Sequence, residues 1–240
     1  MKKVCFILLF LISVTASPEL IKQAEQVEKT YSLKNLSKIQ QDLENWIAQN
    51  SNNDNARYWF ARVCLAYCNV ERFFRRELPN TEGKNITRPG TAKAAEKGIK
   101  ILSPLFKSRP NWADLYRIRG ELLSHAIVGF LSGMTKGPQA LNDLNKSLST
   151  DKSNAFAHVA KAKMYYYNPP IAGGDVDKAI AMCKKAVKLG GDDKAYTLLG
   201  RSYLKKDRPK RAELYLRKAL KINADNIEAQ HFLDAALQQK

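Results

Sequence analysis

Hydrophobic and polar positions separate most cleanly over 193–226, DKAYTLLGRSYLKKDRPKRAELYLRKALKINADN. Tyr196, Leu199, Gly200 and Tyr203 fall at helical spacing, and Ala212, Leu216 and Ala219 do so again beyond a polar turn at Lys206, Asp207 and Arg208. The pattern predicts two short amphipathic helices folded back on each other. Gly200 and Ala212 are expected at the contact, where small residues let the backbones close up while the tyrosines and leucines fill either side. On this register Gly200→Leu should overpack the crossing, and Arg201 beside it should tolerate alanine.

The rest of the chain reads as looser copies of this hairpin. Tyr116, Phe156 and Tyr196 lie 40 apart, as do Gly120, Ala160 and Gly200. On the second helices Ala140, Leu144 and Ser147 match Ala179, Cys183 and Ala186, which match Ala212, Leu216 and Ala219. An earlier copy is expected in a helix from Asp54 to Glu77, where Phe60, Val63, Cys64 and Tyr67 repeat the order, followed by a helix from Thr91 to Phe106. Segments 128–138 and 168–175 read as expanded turns. The connection 78–89 exceeds the usual length of about 4 to 6 residues, so it is either a passive insertion or a contact segment.

The order aromatic, Leu, Gly, Tyr on the first helix and Ala, Leu or Phe, Ala on the second resembles the tetratricopeptide repeat. Only the usual late proline is missing, replaced by Ala224. The resemblance implies an all-α fold, a right-handed superhelical α-solenoid of about four hairpins, with turns expanded beyond the family's period of about 34. Residues 17–53 then supply two lead helices, carrying Leu20, Ala24 and Val27, then Leu36, Ile39, Leu43, Trp46 and Ile47. The repeats occupy 54–226, and a capping helix over 227–240 is expected to turn Ile227, Phe232, Leu233 and Leu237 inward.

Composition changes this picture in three places. Lys2 and Lys3 precede an apolar run over 4–14 and small residues at Thr15 and Ala16, the pattern of a signal peptide over 1–16 cleaved after Ala16. The run is shorter than the about 20 residues of a spanning helix, so no integral membrane segment is expected once it is removed, and the mature protein is expected to be periplasmic or secreted. Removing Lys2 and Lys3 lowers the net charge from +17 to +15. Export turns that excess away from nucleic acid and toward anionic lipid, cell-envelope polymer or an acidic protein, with a merely solvated basic surface as the bland alternative. Finally, three cysteines would remain, Cys64, Cys68 and Cys183. They read as buried small hydrophobes, although Cys64 and Cys68, four apart on one helical face, stand at the edge of disulfide geometry.

Catalytic patterns are missing. His125, His158 and His231 are isolated, with no metal-protease pair and no nucleophile elbow, so neither an enzyme, a cofactor nor a metal site is expected. The string 167–175, YNPPIAGGD, reads as a turn in which prolines end one helix, glycines allow positive φ, and Asp175 caps the next helix. It also resembles an insertion of exported bacterial tetratricopeptide proteins, among them the T component linked to tripartite periplasmic transporters.

Tetratricopeptide proteins bind partners along the face of their first helices, and the register puts Arg117, Glu121 and His125, then Asn154, Lys161 and Tyr165, then Lys194, Arg201 and Lys205 on it. The set partly resembles the clamps by which family members hold a carboxylate, with Ala157 and Thr197 replacing polar members. The expected function is an exported adaptor that holds an acidic protein or peptide partner in this groove, Lys161, Lys194, Arg201 and Lys205 donating charge-assisted hydrogen bonds and Tyr165 a flat apolar contact. The alternative is an accessory of a periplasmic solute-transport system, binding a small organic anion and contacting components of that system.

Overall fold

The computed structural model describes residues 18–77 and 89–239, so the expected signal peptide over 1–16 and most of the connection 78–89 lie outside the described residues. The described residues are all-helical, as expected, and divide into two compact units.

One unit takes in the described residues up to Pro110 together with Leu122–Gly133. A helix over 18–27 (α1) leads to α2 (Leu33–Gln49) and α3 (Asp54–Glu77). α2 starts earlier than its apolar spacing suggests because the Ser32 hydroxyl accepts from the Asn35 amide, satisfying one of the donors a helix start leaves open. Leu36, Ile39, Leu43 and Ile47 form its buried stripe, and α3 buries Phe60, Val63 and Cys64 at the positions predicted for them. The helix expected over 91–106 is instead two, α4 (Pro89–Leu102) and the single turn α5 (Leu105–Ser108). Pro104 lacks an amide hydrogen and its ring crowds the preceding turn, which interrupts the ladder between them. Gly98 on α4 is a close contact that the hairpin pattern missed: a Cβ there would stand 3.0 Å from Cys64 Cβ and 3.0 Å from Leu122 Cδ1.

The other unit takes in Asn111–Glu121 and Met134–Lys240. It holds the first part of α6 (Ala113–His125), most of α7 (Phe130–Thr150), and then α8 (Ala155–Tyr167), α9 (Val176–Lys188), α10 (Asp193–Leu204), α11 (Pro209–Ile222) and α12 (Ile227–Gln238). The repeat register holds at atomic distance. A Cβ on Gly200 would fall 2.5 Å from Leu216 Cγ and 3.2 Å from the Ala212 carbonyl oxygen, and one on Gly120 3.0 Å from the Ala140 carbonyl oxygen and 3.1 Å from Leu144. Ala140, Leu144 and Ser147, like Ala179, Cys183 and Ala186 and then Ala212, Leu216 and Ala219, are buried.

Two expectations are corrected here. Segment 128–138 is not an expanded turn, because α7 begins at Phe130 and carries Pro138 inside it. The Ser132 hydroxyl accepts from the amides of Val128 and Gly129 at 2.9 and 3.0 Å, which starts the helix early. Pro138 leaves the Met134 carbonyl without its ladder partner, on a side of the helix where Met134 itself is 61% exposed. In α12 the inward residues are Ala229, Leu233 and Ala236, while Ile227 and Leu237 are exposed. The cap sets this phase: Asn226 accepts from the Ala229 amide at 2.8 Å and donates to Asp193 at 2.6 Å and to Thr197 at 3.1 Å, pinning the first turn of α12 to α10.

The turn over 168–175 forms as read. Pro170–Ala172 is one 3₁₀ turn, Gly173 has φ 81°, and Asp175 accepts from the amides of Asp177 and Lys178 at 3.0 Å each. Gly174 is required for space rather than for φ, since a Cβ there would collide with the Asn168 carbonyl. Cys64, Cys68 and Cys183 are free and buried; burial pushes the thiols of Cys64 and Cys183 up to about 12, so they pack as neutral hydrophobes. Among the described residues no helix is long and apolar enough to cross a membrane.

Candidate functional site: the first-helix face of the C-terminal repeats

α10 packs against both α8 and α12. Arg201 joins the three: its Nη1 donates to the Tyr167 hydroxyl on α8 at 2.7 Å and to Glu228 Oε1 on α12 at 2.5 Å. The guanidinium also lies 4.2 Å from the ring centroid of Phe232, 5.1 Å from that of Tyr166 and 5.4 Å from that of Tyr167. At 3% exposure it is a buried cation held by one carboxylate and three rings, not a group presented to a partner. The expectation that it tolerates alanine is corrected for the same reason.

Arg117 and Glu121 are likewise turned inward. Arg117 donates to Asp114 at 2.5 and 2.9 Å and to Glu121 at 2.8 Å, and the other Glu121 oxygen accepts from Lys163 at 2.8 Å. Burial pushes the Glu121 carboxyl up, but Lys163 and Arg117 together outweigh it and hold the group below its ordinary value of 4.5. A depressed carboxyl stabilises the fold above its unfolded-state pKa and loses that contribution as pH falls through the folded-state value. Stability to urea should therefore fall as pH drops below 4.5, and Glu121→Gln should flatten that part of the profile; identical profiles for the two proteins would contradict the assignment.

The remaining predicted residues stay nearer the surface. Lys161 donates to the Asn145 side-chain oxygen at 2.8 Å, and Lys205 donates to the Tyr166 carbonyl at 3.0 Å with its ammonium 4.7 Å from the centroid of that ring. Lys194 lies in the first turn of α10, and Tyr165 is half-buried, the Lys178 ammonium 5.9 Å from its ring centroid. Among the described residues none of Lys161, Lys194 and Lys205 is paired with a carboxylate. Asn154 caps α8 by accepting from the Ala157 amide at 3.0 Å, and Thr197 is buried, donating to the Asp193 carbonyl. In the other unit, buried His125 places Nε2 3.2 Å from the Asn69 side-chain oxygen.

Sequence reasoning missed Tyr167, Lys163, Glu228 and the Asp193–Asn226 bond. One signal was available, since Asp193 and Asn226 stand 33 residues apart, one repeat length, and polar residues at that interval face each other across neighbouring hairpins. Among the described residues no group of three or more His, Cys, Asp or Glu could hold a metal ion.

A tetratricopeptide repeat family model matches residues 171–239. No curated protein matches the chain in sequence. Among solved structures, a thermophilic tetratricopeptide repeat protein of Thermus thermophilus superposes with a TM-score of 0.62 at 19% identity, over 92% of this chain and 98% of that one. At that identity the likeness is one of fold. YrrB, a tetratricopeptide repeat protein with an unusual peptide-binding site, is 16% identical over 92% of this chain and 96% of its own, and MamA is 15% identical over 88% and 93%; both reach a TM-score of 0.40, too loose a superposition to argue from.

Proposed function

Because residues 171–239 match a tetratricopeptide repeat model and the helical fold resembles that of such a protein, we propose that the chain is a non-catalytic interaction scaffold, exported from the cytoplasm, that takes an acidic segment of a protein partner along α8, α10 and α12. The observation that carries this reading is the seating of the three helices by Arg201, beside three lysines that form no salt bridge with a carboxylate among the described residues. Arg201 positions the face, and Lys161, Lys194 and Lys205 meet the partner, with Tyr165 as a flat contact. Export rests on the basic, apolar and small-residue order of 1–16.

A fluorescent glutamate-rich peptide titrated by anisotropy tests the site. Binding should weaken with added salt, and replacing Lys161, Lys194 and Lys205 by alanine should lower affinity roughly tenfold, since exposed charge pairs contribute about 0.2 to 1 kcal/mol each. An unchanged affinity in the triple variant removes the site. Export is read separately, by whether the protein recovered from producing cells begins at Ser17.

A further inference from the structure

Uncompensated charge of the C-terminal unit lies not only on its first helices but also on the outward faces of the second helices α9 and α11. Lys184 and Lys188 on α9, and Arg211, Lys218 and Lys221 on α11, are all exposed. They form one field rather than two stripes. The Lys184 ammonium and the Arg211 guanidinium stand 6.0 and 5.7 Å from the centroid of the same ring, that of Tyr203 on α10. Tyr203 stacks on Tyr215 with centroids 5.5 Å apart and planes 5° from parallel, and the Lys218 ammonium is 5.7 Å from the Tyr215 centroid. α9 and α11 carry one carboxylate each, and both are engaged elsewhere: Asp177 with Lys206 and Glu213 with Arg217, each at 2.9 Å. Among the described residues none of the five cations named has an acidic partner. Lys184 and Lys188, one helical turn apart, repel each other, a cost that an external anion removes.

Two aliphatic side chains share α11 with these cations, Leu214 at 52% and Ile222 at 54% exposure. Each helix is about 20 Å long at 1.5 Å per residue, so the field is broad. Nucleic acid would match the charge and leave Leu214 and Ile222 in water. Anionic phospholipid matches both, with phosphates gathering over the cations and the aliphatic side chains entering the headgroup boundary. We propose that the outward face of α9 and α11 docks the protein peripherally on an anionic phospholipid surface. The proposal is independent of the peptide site on α8, α10 and α12, which uses other helices and other lysines.

Co-sedimentation of the full chain with phosphatidylcholine vesicles, with and without phosphatidylglycerol, tests it. Lys2, Lys3 and the apolar run over 4–14 contribute alike to wild type and variant, so the readout is the change between the two proteins in preference for phosphatidylglycerol. Wild type should favour the phosphatidylglycerol vesicles and lose that preference in high salt. The triple variant Lys184→Glu, Arg211→Glu, Lys218→Glu should lose at least about tenfold in anionic-vesicle partition, at the strength expected of cations next to a membrane. Should that variant fail to fold by circular dichroism, the triple change to glutamine is read in its place and should show the same direction. The lysine-to-alanine variant of the peptide site should keep its vesicle binding. Equal wild-type binding to both vesicles, or a charge variant that keeps the full wild-type preference for phosphatidylglycerol, overturns the proposal. So does a face that binds the acidic peptide and ignores vesicles, which would make the occupant a protein.

Discussion

Arg201→Ala should destabilise the protein by about 3 kcal/mol, read as a fall in the urea midpoint at unchanged slope. Breaking a buried ion pair from one side leaves the other charge uncompensated, which typically costs about 3 to 5 kcal/mol. The Glu228 side chain is 23% exposed, so water can solvate part of the abandoned carboxylate and the lower end of that range applies. Phe232 and Tyr166 lose their cation at the same time, and the Tyr167 hydroxyl its donor. Arg201→Lys should recover only part of the loss, because one ammonium cannot lie flat against the rings while donating to both oxygens. Lys205→Ala, a turn further on and exposed, should stay within about 0.5 kcal/mol of wild type. Arg201→Ala with wild-type stability would mean that α8, α10 and α12 are not joined through this side chain.

Gly200→Leu should lower the melting temperature by several degrees. The first added atom already falls 2.5 Å from Leu216 Cγ, and Leu216 is fully buried. The Ala212 carbonyl 3.2 Å away blocks the other direction, so α10 and α11 must separate along the contact that defines the hairpin. Overpacking of this kind costs about 1 to 3 kcal/mol, each corresponding to about 2 to 4 °C in a protein of this size. Gly133→Leu is the matched control: Gly133 lies inside α7, and a Cβ added there meets only Ile127 Cγ2 at an ordinary 3.7 Å, so the change should leave stability unchanged or slightly improved. If the two variants melted together, the register of the repeats would be wrong.

These two neighbours, Gly200 and Arg201, mark how far the sequence could be read. Gly200 was legible because a small residue among large ones at helical spacing has one economical explanation, a close helix crossing. The period of 40 carried that reading to Gly120, and the capping roles of Asp175 and the end of α8 before Pro169 followed from donors and acceptors within a few residues of each other. Proline was legible only in part. Pro104 interrupts a helix and Pro138 does not, because the outcome depends on whether the surroundings can satisfy the freed carbonyl, which is not a local property.

From the sequence alone came the all-helical class, the hairpin repeat, the crossings at Gly120 and Gly200 and the basic excess, all of which depend on spacings of a few residues or on composition. The tertiary structure alone decided where the charge points. Arg201 meets Tyr167 and Glu228 across 34 and 27 residues, and Glu121 meets Lys163 across 42, so a charge placed by helical period on an open face becomes buried when a neighbouring hairpin brings it the opposite charge. The same stacking rotates α12 so that alanines rather than Ile227 and Leu237 face inward, because Asn226 is bonded to Asp193 one repeat away. Helical phase is encoded within a turn or two, whereas the partner of a buried charge is chosen by the packing of separate hairpins.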